Sequence, residues 1–189
     1  MAATFRKWGN VSIACLLWLA VSVAPFSRQT TTQNDVSKSA ISYVLKHPFH
    51  TVTGISRQAK SQATIAGNSI TAVQVTVPVR SFDSGNRTRD KDMLKVTNET
   101  KHPTVTFRSS SITERSSNMH VTGQLTFNGI TKQVTFNATQ QQKENNLIVD
   151  GQFVISLEAY SIKRPSIFSM KVKDELTIKF HMVYPTASN

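Results

Sequence analysis

Two short groups of polar residues in this chain have the types and spacing that chemistry requires. The first is the His-x-x-His pair of His47 and His50, since imidazole nitrogens bind metals and form hydrogen bonds. On a strand, residues three apart point to opposite faces, so only a turn at Pro48 could bring the two rings together. No third ligand lies at a fixed spacing, so we expect a hydrogen-bonding pair at the mouth of a binding site. A metal protein or enzyme that uses both histidines is the alternative.

The second group is Asn86, Arg89 and Asp90, which share one face of a short helix predicted from Arg87 to Val96. Turn residues precede this helix, and Asn86 offers the side-chain oxygen of an N-cap. Two interpretations of Arg89 remain open. It either forms an ion pair with Asp83 or Asp90 that ties the helix to the strand ends, or it contacts a phosphate or other polar head group.

The elements that must position these groups are strands, because apolar and polar residues alternate through most of the chain from Ser39 to Tyr184. We count about eight strands, with the short helix after the fourth. Asn128-Gly129 predicts a tight hairpin, and Gly54 predicts a bend or bulge. No βαβ pattern, repeat or linker is present. The pattern therefore predicts an all-β fold whose antiparallel strands close into a barrel of the lipocalin type.

Large apolar side chains would face the inside of such a barrel. They form an ordinary core if they fill it, and a binding site if the barrel stays partly hollow. A buried apolar tail contributes roughly 0.8 kcal/mol per methylene, so a hollow apolar lumen suffices to bind a lipid. The candidate ligand-contacting residues of this kind are Met93, Phe107, Phe127, Phe136, Phe153, Phe168 and Phe180.

The N-terminal segment has the residue pattern of an export signal. Two basic residues precede the apolar run from Val11 to Ala24, which is short for a membrane span and is followed by polar residues. We predict a signal peptide over residues 1–24, with an uncleaved anchor as the alternative, and a flexible leader over 25–38. Cleavage after Ala24 would remove Cys15, the single cysteine. That excludes a disulfide, a thiolate metal site and a cysteine nucleophile in the mature chain.

The chain carries a formal net charge of +11 over 189 residues. This predicts an anionic neighbour such as a membrane surface, with a merely solvated surface as the alternative. The basic residues are scattered and no basic helix stands out, so nucleic acid is not expected. The sequence contains no nucleophile elbow, phosphate loop or zinc-protease motif. We therefore expect no enzymatic activity, no cofactor and no bound metal. The oligomeric state stays open, with a dimer among the alternatives.

Four blocks, in order, resemble the YceI family. They are Val44-Leu45-Lys46-His47 with Val52-Thr53-Gly54, the stretch from Ser81 to Asp90, Pro103 to Phe107, and Val121 to Lys132. The resemblance covers most of the chain from Ser39 to Tyr184.

This resemblance implies an extended lipocalin-like antiparallel barrel over residues 39–184, exported by a bacterium to the periplasm or beyond. It also implies a polyisoprenoid or fatty amphiphile held in the barrel lumen, for transport or sequestration. By position, His47, Asn86, Arg89 and Asp90 belong to the family blocks. The segment from Leu94 to His102 is polar where many members have a Phe-Phe pair, which leaves a shorter or different lipid open. A ligand-free structural or stress-response barrel that acts through surface contacts is the alternative function.

Overall fold

The computed structural model describes residues 29–167 and 170–186. A ten-stranded antiparallel sheet curls into a half-barrel, with one short helix and a separate two-stranded hairpin. This confirms the all-β, lipocalin-like fold class. The main sheet has ten strands rather than about eight, and the helix follows the fifth strand rather than the fourth. The elements are β1 (Gln29–Gln33), β2 (Ala40–Lys46), β3 (Thr51–Ser56), β4 (Lys60–Ala66), β5 (Ser69–Pro78), α1 (Arg87–Val96), β6 (Thr104–Arg115), β7 (Asn118–Phe127), β8 (Ile130–Lys143), β9 (Asn146–Ser156), β10 (Ser166–Ile167), β11 (Met170–Lys171) and β12 (Glu175–Pro185).

The alternating sequence pattern explains how the sheet buries one face. The strand order is β1-β4-β5-β6-β7-β8-β9-β12-β2-β3, and β10 pairs only with β11. Along β3 and β7, buried residues alternate with more exposed ones, as the period of two in a strand requires. Apart from Val183, the buried apolar residues of the sheet form one cluster on its inner face.

The predicted flexible leader is wrong for part of its length. Residues 29–33 form β1, which pairs with β4 from Gln29 opposite Ala66 to Gln33 opposite Gln62. Most side chains of β1 are exposed, so this edge strand has no apolar face that alternation could reveal. Its threonines favour an extended backbone nonetheless. The predicted signal peptide, residues 1–24, lies outside the described residues.

Four connections lie at one end of the half-barrel, which we call the mouth. They join β5 to β6 through α1, β7 to β8, β9 to β12, and β2 to β3. Strand direction alternates in an antiparallel sheet, so these four connections share one end. The predicted Asn128-Gly129 hairpin is confirmed between β7 and β8, with φ angles of 48° and 74° that suit its tight turn.

Helix α1 occupies the predicted residues, from Arg87 to Val96. The side-chain oxygen of Asn86 accepts hydrogen bonds from the backbone N–H groups of Thr88 and Arg89, both at 3.1 Å, which confirms the predicted N-cap. No residue of α1 is fully buried, so the helix lies over the mouth rather than inside the core. Among the described residues, no helix is long and apolar enough to cross a bilayer.

The two sides of the curled sheet meet along a seam. Ile55 of β3 and Asp83 exchange backbone hydrogen bonds of 2.9 and 3.0 Å. Elsewhere on the seam the hydroxyls of Ser61 and Tyr184 lie 2.7 Å apart. Tyr184 is 2% exposed, and its burial raises the pKa of the phenol to about 12. A polar contact inside the wall therefore depends on a neutral tyrosine.

The predicted bend or bulge at Gly54 is wrong. Gly54 pairs with Tyr43 in a regular ladder between β2 and β3. The Tyr43 ring occupies the space that a Cβ at residue 54 would need, so this glycine makes room for a cross-strand ring. The register shifts lie elsewhere, between Thr64 and Ile65 and within the β6–β7 ladder.

Candidate functional site

A cavity of about 560 Å³ lies inside the half-barrel. Its walls are the inward-facing side chains of the strands, and they are almost entirely apolar. Polar side chains enter the lining at the mouth, where α1 and its cap supply Asn86, Thr88, Arg89 and Asp92. The volume falls within the range of roughly 300–1,000 Å³ that small-molecule sites occupy. The molecule therefore holds an apolar chamber with a polar entrance.

The structure brings together at this cavity every predicted ligand-contacting residue that it describes. Phe168 lies outside the described residues. The others that line the cavity are His47, His50, Asn86, Arg89, Met93, Phe107, Phe127, Phe136, Phe153 and Phe180.

Phe136 is the centre of an aromatic cluster on the cavity wall. Its ring centroid lies 4.8 Å from that of Phe153 in a stacked arrangement, and 5.6 Å from those of Phe107 and Phe180. Phe136, Phe153 and Phe180 face inward but stay only half-buried. Side chains of this size at inward positions are normally fully buried in a filled core. The cluster therefore presents free apolar surface to the cavity.

Two glycines keep aromatic rings against the wall and out of the chamber. The Phe180 ring lies over Gly151, its partner in the β9–β12 ladder, and the Phe107 ring lies over Gly123. In both places a Cβ would clash with the ring. A ring that rests on a neighbouring strand's backbone takes little of the lumen, which helps to explain how a phenylalanine-rich barrel stays hollow.

Ser84 is the centre of the polar network at the entrance. Arg89 donates from Nε to Ser84 Oγ at 2.9 Å and from a terminal nitrogen to the Ser84 carbonyl at 2.8 Å. The Ser84 hydroxyl donates to Asp90 at 2.5 Å, and its backbone N–H donates to the same carboxylate at 3.2 Å. Asp83 instead accepts from the N–H of Gly85 at 2.7 Å.

The ion pair of Arg89 with Asp83 or Asp90, one of the two interpretations left open by the sequence, is replaced by a serine that bridges Arg89 and Asp90. Tyr43 lies beside this network, and the pKa of its phenol is raised, first by burial and then by the negative charge of Asp90. The arrangement holds the guanidinium at the cavity wall by two contacts, and its other N–H groups can still donate.

A salt bridge fixes the segment that follows α1. Two guanidinium nitrogens of Arg80 lie 2.7 Å from the same carboxylate oxygen of Glu99. Glu99 is 7% exposed, so its charge requires this partner. The pair ties the chain after the helix to the turn before it, and α1 is held over the mouth from both ends.

His47 has a structural position in the β2–β3 turn. Its Nδ1 accepts the N–H of Phe49 at 3.3 Å, and its Nε2 lies 3.1 Å from the carbonyl oxygen of Met170. Since Nδ1 accepts, Nε2 carries the proton and donates. The rings of His47 and His50 contact each other, with centroids 5.2 Å apart. Among the described residues no group of three His, Cys, Asp or Glu side chains is placed to hold a metal.

Sequence reasoning missed several wall and entrance residues. Ser84 carries no charge, so reasoning from charge pairs overlooks it. The valines of β5 show the right alternation, but alternation alone does not separate a cavity wall from a filled core. The connection between β9 and β12 has no regular pattern to read. The missed lining residues include Val73, Val75, Val105, Ile162, Pro165, Val172 and Ile178.

Known proteins share both sequence and fold with this chain. Protein YceI of Shigella flexneri is 40% identical over 68 residues, a segment that spans 35% of this chain and 36% of that relative. The crystal structure of Burkholderia cenocepacia BcnA superposes with a TM-score of 0.73 at 28% identity, covering 79% of this chain and 98% of that one. A polyisoprenoid-binding domain from Saccharophagus degradans superposes with a TM-score of 0.66 at 12% identity, covering 85% and 100%.

A family model describes a larger part of the chain than the pairwise alignment with the curated relative does. The model of the YceI-like domain matches residues 33–184, which include all of β2 to β9, α1 and the cavity lining. The match therefore covers the helix at the entrance and nearly all of the main sheet except β1. The chain belongs to the YceI-like domain family.

Proposed function

We propose that this protein is an exported bacterial binding protein, without catalytic activity, that holds a long-chain amphiphile in its barrel. The observation that carries the proposal is the apolar cavity of about 560 Å³ with polar groups at its mouth. Isoprenoid and fatty lipids combine a long apolar tail with a polar head, which is the same distribution of polarity. Transport or sequestration of such a lipid follows from holding it out of water.

The apolar wall supplies the binding free energy. Each methylene moved from water into the cavity contributes roughly 0.8 kcal/mol, so about ten methylenes contribute roughly 8 kcal/mol before the costs of ordering. Phe136, Phe153 and Phe180 provide half-buried surface for this contact. No further polar site is needed for tight binding.

The entrance selects the head group. Arg89 lines the cavity, and Ser84 holds its guanidinium by two bonds. A guanidinium held in this way is suited to a phosphate or another oxygen-rich head. His50 lines the same entrance with an exposed ring, and it offers a second hydrogen-bonding group.

Relatives support the class of ligand and the bacterial setting. The structural neighbour from Saccharophagus degradans is described as a polyisoprenoid-binding domain, and the curated relatives are bacterial proteins. The apolar run from Val11 to Ala24 behind two basic residues favours export to the periplasm or beyond.

The test is mass spectrometry of a solvent extract from protein purified out of a bacterial host. We expect a stoichiometric long-chain amphiphile that is absent from an unrelated barrel prepared in the same way. If the protein stays empty even after incubation with isoprenoid and fatty lipids, the proposal fails and the ligand-free structural barrel is favoured.

A further inference from the structure

Two large apolar side chains are exposed beside the cavity entrance. Phe49, in the β2–β3 turn, is 62% exposed, and Met170, in β11, is 37% exposed. His47 joins the two segments, since its ring contacts Phe49 and its Nε2 bonds to the carbonyl of Met170. Packing inside the described fold therefore does not explain why these two positions carry large apolar side chains. His47 nevertheless holds the two segments together.

Three lysines lie close to this pair along the same two segments. Lys46 follows the last inward residue of β2, and Lys171 and Lys173 stand on either side of Val172, which points into the cavity. All three are exposed, and the N–H of Lys173 donates to the carbonyl of Lys46 at 2.9 Å, which brings the two segments together. Within the described part of the chain, none of the three has a salt bridge. We call Lys46, Phe49, Met170, Lys171 and Lys173 the mouth patch.

Three carboxylates lie close to the mouth patch along the chain and bear on its charge. Glu158 forms a salt bridge with Arg164, with 2.8 Å between Oε1 and Nε, and Asp174 accepts the N–H of Glu158 at 2.9 Å. Glu175 is exposed at the start of β12. The three lysines therefore outnumber Asp174 and Glu175, the two nearby carboxylates without a salt bridge among the described residues, and the mouth patch keeps a net positive charge.

We propose that the mouth patch docks on the surface of an anionic lipid bilayer, with Phe49 and Met170 inserted among the lipids and the lysines on their phosphates. An exposed aromatic ring and a thioether suit the boundary between lipid headgroups and acyl chains. The neighbouring lysines suit the negatively charged headgroups above it. A protein partner would not require exposed apolar side chains with lysines beside them at the entrance to a lipid-sized cavity. The inference rests on the proposed function, because docking at the mouth lets a lipid pass between bilayer and cavity without crossing water.

The test is co-sedimentation of the full chain with phosphatidylcholine vesicles, prepared with and without phosphatidylglycerol. We expect Phe49→Ser combined with Met170→Ser to lower partitioning by about tenfold, from the lost apolar burial. Each of Lys171→Gln and Lys173→Gln should lower it by about fivefold on the anionic vesicles only, and salt should have the same effect. Both hydrogen bonds of His47 use backbone groups of Phe49 and Met170, so the variants lose the ring contact with Phe49 but keep these bonds, and their unfolding midpoints check that the fold is retained.

The matched control is Val36→Ser combined with Lys143→Gln. Both residues are exposed and lie at the end opposite the mouth, so this variant should partition like the unchanged chain. Residues 1–28 are common to all variants and contribute equally. Equal partitioning of the mouth-patch variants and the unchanged chain would overturn the inference, and so would equal binding to neutral and anionic vesicles. If the extracted protein still carries a lipid in that case, the proposed function stands while the docking fails.

Discussion

The Phe180 ring packs on the backbone of Gly151, the residue directly opposite it in the ladder between β12 and β9. A methyl group at residue 151 would overlap the ring. We therefore expect Gly151→Ala to lower the free energy of unfolding by about 1–3 kcal/mol, the usual cost of overpacking. Urea unfolding measures the change.

The control for this prediction is the same change beside a smaller side chain. In a Phe180→Leu background the clash with the ring is gone, so Gly151→Ala should cost much less there. An equal cost in both backgrounds would show that the ring is not the reason for the glycine.

The entrance network predicts the effect of removing one hydroxyl. Ser84→Ala takes away the contact at 2.9 Å from Arg89 and the one at 2.5 Å to Asp90. We expect a loss of about 1–2 kcal/mol in the free energy of unfolding, together with weaker binding of a lipid with an anionic head, because Arg89 loses its position. Ser110→Ala is the control, since its exposed hydroxyl makes one bond of 3.2 Å. Similar losses in the two variants would contradict this account.

The hollow core predicts that a larger side chain can be added without unfolding the protein. Val75 lines the cavity and is half-buried, so Val75→Phe places a ring in the chamber and should displace the ligand while the fold is retained. The lipid recovered per protein, measured by mass spectrometry, should drop severalfold. Val154→Phe is the control, because Val154 is 56% exposed. Undiminished lipid in Val75→Phe would mean that the ligand lies elsewhere.

The raised pKa of Tyr184 predicts that the free energy of unfolding falls at alkaline pH. Its pKa is raised by burial from 10 to about 12, so folding favours the neutral phenol. The stabilisation is complete below pH 10, and it is lost as the pH rises from 10 towards 12. Two pKa units correspond to about 3 kcal/mol in all.

Urea unfolding at a series of pH values from neutral to strongly alkaline tests this prediction. Tyr184→Phe loses the contact with Ser61 at every pH, but its stability should fall less steeply above pH 10. Parallel curves for the two proteins would show that Tyr184 does not titrate with unfolding.

Much of the fold follows from local rules in the sequence. The helix from Arg87 to Val96 was predictable because Asn86 has the right side chain for a cap and a polar, turn-rich stretch separates two alternating runs. Strand β1 was not, since its exposed threonines and glutamines have no apolar face. The role of Gly54 was also out of reach, because a bulge and a cross-strand ring both call for glycine and only the pairing partner distinguishes them.

The candidate site was predictable as a set of residue types more than as a geometry. Inward phenylalanines could be named from alternation, yet their packing decides whether they fill the lumen, and that depends on rings such as Phe107 resting on Gly123. Arg89 could be named from the family blocks. Its partner could not, because reasoning from charge favours a carboxylate, whereas Ser84 bridges the two charged groups.

The seam at Ile55 has a consequence for how the barrel moves. Nine pairs of neighbouring strands in the main sheet are held by ladders, whereas Ile55 and Asp83 form a bridge of a single residue pair. Two hydrogen bonds contribute on the order of 2 kcal/mol, and the contact of 2.6 Å between the Ser56 and Ser81 hydroxyls adds a third. Local opening there costs less free energy than separating any two strands of the sheet. We therefore expect the fluctuations that widen the chamber to be concentrated along one line of the wall, next to the entrance, while the aromatic cluster on the far strands stays in place.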